Sequence, residues 1–301
     1  MTQSALHSTP RPGDVLREQV LAVGFALRRP AAVASALAAL VTVLVTADLV
    51  RSGEAIGFHP EDQMLPGVLG MLLPIGVWRG EERFGASFLW TLPVDRRLHA
   101  LAKVFGGWVW LMAAVALFVL WQLALTLLSG GSAFAEETLR LLPFFSLPGS
   151  GALDAATLQT VRRAPEPLLW IVPFTAATGT YVLASALALG VRRPLEWVLG
   201  VGLAFFLVFA AGGVTHTAWL ADAPGRLLEP LVFGPHGLDT LLTARTESLK
   251  TEATLTTGER VVVWRALPDL GRWATATLLW SGAGFAALWV AASRHGERRR
   301  A

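Results

Sequence analysis

Six apolar runs punctuate this chain, and arginines stand at their ends on alternate sides. The runs cover 31–50, 64–78, 104–128, 167–190, 195–215 and 273–293. A bilayer crossing needs about 20 mostly apolar residues, so five runs qualify outright. The second is short and carries Pro66 and Pro74, which a spanning helix tolerates when neighbours satisfy the freed backbone groups. Composition agrees with this reading. Hydrophobic residues make up 53% of the 301 and charged residues 16%, against about 25% charged in an ordinary soluble domain. The mean hydropathy is +0.53.

The basic residues set the orientation. Arg28-Arg29, Arg79, Arg83, Arg96, Arg97, Lys103, Arg192-Arg193, Arg294 and Arg298-Arg299-Arg300 all lie close to run ends that share one side. The other side holds Arg51, Arg140, Arg162-Arg163 and positives scattered between Arg226 and Arg272, on much longer loops. Both termini are therefore expected inside, with 130–166 and 217–272 outside. A net charge of +3, distributed by side of membrane, gives no reason to expect nucleic acid. Only Lys103 and Lys250 are lysines, and Ala and Gly are abundant. That composition points to a GC-rich bacterial genome.

The N-terminal 30 residues do not read as a cleaved signal peptide. Val15, Leu16, Val20, Val23 and Leu27 recur at helical spacing, which predicts an amphipathic helix over 14–27 lying in the inner interface. Arg28-Arg29-Pro30 is expected to stop it before the first span. Outside, Gly130-Gly131, Pro143, Pro148-Gly149 and Pro165 predict an irregular loop with short helical pieces. In the longer loop, Leu220–Leu242 mixes Leu and Phe with Pro224, Pro230 and Pro235, a pattern that suits short helices dipping into the outer interface. Thr257-Gly258 between β-prone runs predicts a small hairpin over 254–264.

Chemistry is conspicuous by what it lacks. No G-x-x-x-x-G-K-[ST] run precedes either lysine, so the chain cannot hydrolyse ATP by that route. No H-E-x-x-H and no G-x-S-x-G occurs. The zero cysteines exclude disulfides and thiol chemistry. The six histidines are isolated in sequence, although His216 and His236 share a loop. The pairs Glu81-Glu82 and Glu136-Glu137 are adjacent and do not share a helix face. We therefore expect no catalytic residue, no metal and no cofactor. The runs carry no charge at mid-depth, where an ion-coupled carrier usually needs it. Energy is then expected from outside the membrane part.

Polar residues inside the runs admit two readings. Thr175, Thr178 and Ser185 fall near one face of the fourth run beside Tyr181, and Gln122 sits in the third. They line a translocation path, or they are small and hydroxyl residues that pack helices together; packing is the reading we expect. Most tryptophans stand at run ends as an interfacial belt, but Trp110, Trp121, Trp280 and Trp289 lie deeper.

One stretch fits neither membrane nor loop. Residues 79–103 run through Glu81, Glu82, Arg83, Phe84, Gly85, Phe88, Trp90, Leu92, Pro93, Arg96 and Arg97 to Lys103. Apolar and charged residues alternate, too polar to cross and too apolar to be solvated. A lipid-only anchor needs positives and has no use for an acidic pair, so the segment suits a protein groove. The order acidic residue, Gly85, Thr91-Leu92-Pro93-Val94, Arg96 and Lys103 resembles the first cytoplasmic loop of ABC-2 type transporter permeases, and the Leu27–Pro30 "LRRP" before the first run resembles their entry. The resemblance implies an all-α integral membrane protein with six transmembrane helices, an N-terminal interfacial helix, and re-entrant helices between spans 5 and 6; the possible β-hairpin in that same loop is not a family signature. It also implies a separate ABC ATPase chain docking on 79–103, a second permease subunit, and export as the activity. The rivals are a non-transporting assembly or sensing subunit that binds a partner through its outer loop, and a lipid-acting membrane enzyme.

Overall fold

The computed structural model describes residues 12–52, 59–60, 63–78, 96–134, 136–142, 156, 158–164, 166–191, 193–215, 217–244, 250–264 and 269–295. Eight helices and four strands follow in order: α1 (Pro12–Ser52), α2 (Leu65–Val77), α3 (Arg96–Leu128), β1 (Glu137–Leu141), β2 (Gln159–Arg163), α4 (Val172–Gly190), α5 (Pro194–Val214), α6 (Ala218–Val232), α7 (Leu238–Thr243), β3 (Lys250–Thr254), β4 (Arg260–Trp264) and α8 (Leu270–His295). Among the described residues four helical stretches are long and apolar enough to cross a membrane: Gly13–Leu49, Arg97–Leu128, Pro167–Gly190 and Leu270–Arg294. Two further apolar helices, at Leu65–Val77 and Glu196–Ala211, are shorter. The protein is thus membrane-embedded and mostly helical.

α4 is the centre of the bundle. It packs against α2, α3, α7 and α8, and Val172, Ala176, Ala177 and Tyr181 are wholly buried. Small residues make this close approach feasible, as expected where van der Waals packing replaces a hydrophobic drive between helices. A Cβ at Gly70 of α2 would overlap the Ala177 carbonyl oxygen and the Thr180 hydroxyl. Leu111, Val115 and Leu288 complete the core from α3 and α8. Pro66 and Pro173 sit in the first turns of their helices, where the missing N–H costs nothing.

α5 is the opposite case. Trp197, Leu199, Leu203, Phe206, Leu207 and Phe209 are all exposed, and the helix is covered on one side by α6. Val33, Leu37, Leu40 and Leu44 of α1 are exposed too. Apolar surface of this extent needs lipid or another chain around it.

α1 overturns one expectation. Residues 14–27 do not form a separate interfacial helix; α1 is continuous for 41 residues with Pro30 inside it. The Ala26 carbonyl loses its helical donor there, a defect of about 3 kcal/mol in a soluble helix. Packing on both sides of the proline offsets it. Below, Val23 and Leu27 are buried against Val77. Above, Trp121 Nε1 donates to Thr42 Oγ1 at 2.8 Å.

The region between α3 and α4 adds an element that the expectation lacked. Within 130–166, β1 and β2 pair antiparallel, while 143–155, with Pro143 and Pro148-Gly149, lies outside the described residues. The anticipated hairpin β3–β4 is present, turning at Gly258 with φ +85°, a conformation that glycine alone adopts freely. A single parallel bridge, Leu141 to Trp264, joins the two hairpins into one sheet of order β2-β1-β4-β3. Leu142, Leu255, Val261 and Val263 form its core. Each hairpin is marginal alone, so the strand character of β1 and β2 depends on a partner more than a hundred residues away.

α6 runs back along α5, and α7 returns against α4 and α8. The fully buried Leu241 places Cδ atoms 3.1 and 3.3 Å from where a Cβ of Gly179 would stand. Gly179 lies seven residues into α4, about 10 Å along its axis. Two short helices are thus present over 218–243, α6 along α5 and α7 packed against α4 and α8.

Candidate functional site

The N-terminal end of α3 gathers contacts from several other helices. Glu81, Glu82, Arg83, Phe84, Gly85, Phe88, Trp90, Leu92 and Pro93 lie outside the described residues, as does the Arg96 side chain. What the structure describes is how the two ends of that segment are held.

Trp78 closes α2 through its N–H to the Pro74 carbonyl at 2.9 Å. The Lys103 ammonium stands 4.9 Å from the centre of the Trp78 ring. Lys103 is only 7% exposed. A buried ammonium needs compensation, and a tryptophan face gives part of it, on the order of 0.5–2 kcal/mol. Arg97 lies over the Trp289 ring of α8, its Cζ 3.4 Å from the ring centre. Arg97 and Lys103 are separated by six residues, so they project from α3 in different directions and reach different neighbours.

Two further helices meet the same stretch. The Tyr181 hydroxyl of α4 donates to the Val104 carbonyl at 2.8 Å. On the α1 side, Trp110 Nε1 donates to the Val20 carbonyl at 2.9 Å, and Gln19 Nε2 lies 3.5 Å from His99 Nδ1. Residues 97–110 thus touch α1, α2, α4 and α8. Any displacement of the segment before α3 is delivered to a helix with contacts to four others.

The polar residues singled out within the spans differ in their contacts. Thr178 accepts from Trp108 Nε1 at 3.1 Å and approaches Met112 Sδ at 3.8 Å. Thr175 bonds its own helix, at the Val172 carbonyl, 3.0 Å. Ser185 is fully buried and its hydroxyl has no hydrogen-bond partner among the described residues. Gln122 is half-buried on α3. Thr180, which the sequence reading passed over, donates to the Gly67 carbonyl at 2.9 Å and ties α2 to α4. The signal for it was the pairing of a threonine with glycines on a neighbouring span.

The four deep tryptophans all reach another helix or turn. Trp110 and Trp121 bond α1, Trp289 lies under Arg97, and Trp280 Nε1 donates to the His236 carbonyl at 2.8 Å. His236 Nδ1 is also 3.0 Å from the Thr275 hydroxyl, while His216 lies outside the described residues. Among the described residues no three His, Asp or Glu side chains gather as a metal group would. No protein-family model, no characterised protein and no solved structure matches the chain.

Proposed function

We propose that this chain is the membrane subunit of an ABC-2 type exporter in a bacterial cytoplasmic membrane. In this reading α2 and α5 join the four longer helices as spans, both termini are cytoplasmic, and two such subunits pair, as a homodimer or with a paralogue. A separate ATPase chain docks on 79–103 and hydrolyses the ATP. The substrate class is left open by the residues.

One observation carries the reading. The segment whose sequence resembles an ATPase-docking loop leads straight into the helix end that contacts four other helices. A docking element placed there can move the bundle without crossing it. The exposed apolar faces of α1 and α5 add support, because a paired subunit and lipid together would cover them.

The test is co-purification. The full chain, expressed with an ATPase subunit encoded beside it, is expected to form a stable complex that hydrolyses ATP. A chain that purifies without any ATPase under mild detergent argues for the second reading. In that reading the four-stranded outer sheet, assembled from two separate loops, is the working part and binds a partner for assembly or sensing.

A further inference from the structure

We propose that α8 is a connecting rod between the inner docking segment and the outer re-entrant hairpin, gripped at one end through Trp289 and at the other through Trp280. This deepens the reading above and rests on it for what drives the inner end.

The grips are specific. At the inner end Arg97 lies over Trp289 at 3.4 Å, and Arg97 is the second residue of α3, where the docking segment runs into that helix. At the outer end Trp280 Nε1 holds the His236 carbonyl at 2.8 Å and Thr275 meets His236 Nδ1 at 3.0 Å. His236 belongs to the turn between α6 and α7. Trp280 and Trp289 lie two and a half turns apart on one unbroken helix, about 13 Å along its axis and on opposite faces.

The middle of the rod slides on small residues. Gly284 faces Val182 and Leu183, Ala291 lies beside Gly190, and Ser281 lies beside Gly179. Leu241 of the hairpin contacts the same Gly179. A tilt or shift of α8 imposed at Trp289 therefore changes the seat of the hairpin at Trp280 and Leu241. Packed helices shift by small sliding motions of this kind. Lys103 reaches α2 at Trp78, and α2 meets the hairpin separately, where Leu242 of α7 lies against Gly67.

The chain has no native cysteine, so a single thiol can report. Thr240 of α7 is 1% exposed, and Thr240→Cys is protected from a water-soluble maleimide while the hairpin is seated. Val263→Cys, in the sheet core and fully buried, reports general loosening. On the purified full chain, Trp280→Phe is expected to raise labelling of Thr240→Cys by releasing the outer grip directly. Arg97→Ala and Trp289→Ala, at the far end, are expected to raise it at least about threefold by shifting the local opening equilibrium. Trp289→Phe and Arg97→Lys keep a ring and a cation and should leave it near the parent value. Labelling at Val263→Cys should not change.

The rod is overturned if Arg97→Ala and Trp289→Ala leave labelling at the parent rate, if Trp280→Phe does so, or if Val263→Cys labels faster in step. No ATPase enters the assay, so its outcome is separable from co-purification. A responsive hairpin in a chain that binds no ATPase would keep the rod and remove the permease reading. An unresponsive hairpin in a chain that binds one would do the reverse.

Discussion

The Tyr181 hydroxyl of α4 donates to the Val104 carbonyl of α3 at 2.8 Å, one residue past the buried Lys103. This bond fixes the central helix to the N-terminal part of α3. Tyr181 is fully buried, and its hydroxyl end lies against Gly107, where a Cβ would overlap it. Tyr181→Phe keeps the ring and deletes the bond. Side-chain bonds within membranes average about 0.6 kcal/mol and reach about 1.7. A lowered melting temperature in detergent is expected, with the complex still assembled; an unchanged melting temperature would show that the bond contributes nothing.

Gly70 and Gly202 make a matched pair. A Cβ at Gly70 overlaps backbone and hydroxyl of α4, while at Gly202 on α5 it meets nothing within 4 Å. Gly70→Ala should destabilise by about 1–3 kcal/mol, the usual range for overpacking. Gly202→Ala should be neutral or slightly stabilising in the isolated chain, since alanine favours helix by about 1 kcal/mol. Equal effects at both sites would contradict the packing of α2 on α4.

Thr178 separates a path from packing. Thr178→Val removes the acceptor for Trp108 Nε1 and leaves a half-buried N–H unpaired, at a cost of about 1–3 kcal/mol. We expect lower thermal stability with hydrolysis by the ATPase-loaded complex unchanged per folded molecule. Normal stability with altered hydrolysis would instead make Thr178 part of the transport route.

Thr256 tests the topology. It is exposed in the β3–β4 turn, on the side assigned outside by the arginine distribution. Thr256→Cys should react with a membrane-impermeant maleimide on intact cells. Reaction only after the membrane is opened would invert the whole arrangement.

Much of the helical layout was legible because span length and arginine placement are local properties. Runs 64–78, 167–190, 195–215 and 273–293 coincide with helices to within a few residues. The β3–β4 hairpin was readable from one turn glycine. β1 and β2 were not, because their ladder is completed by strands from the other loop. The break at Pro30 was misjudged because a proline's effect depends on the packing around it, here Val23 and Leu27 on one side and Thr42 on the other. Of the site, the segment itself was visible in sequence; its anchoring was not. Nothing local pairs Arg97 with Trp289 or Lys103 with Trp78. The only clue was that Trp289 lay too deep for an interfacial belt.

The central claim is that 79–103 docks an ATPase subunit, and its most direct measurement is co-purification after truncating the aromatic residues of that segment. Interface aromatics at hot spots typically cost about 2 kcal/mol or more on truncation, while rim charges act weakly and lose effect with salt. Phe84→Ala or Phe88→Ala should abolish recovery of the ATPase with the membrane chain still folded, and Arg96→Ala should weaken it modestly. A complex that survives the loss of both phenylalanines would contradict the account.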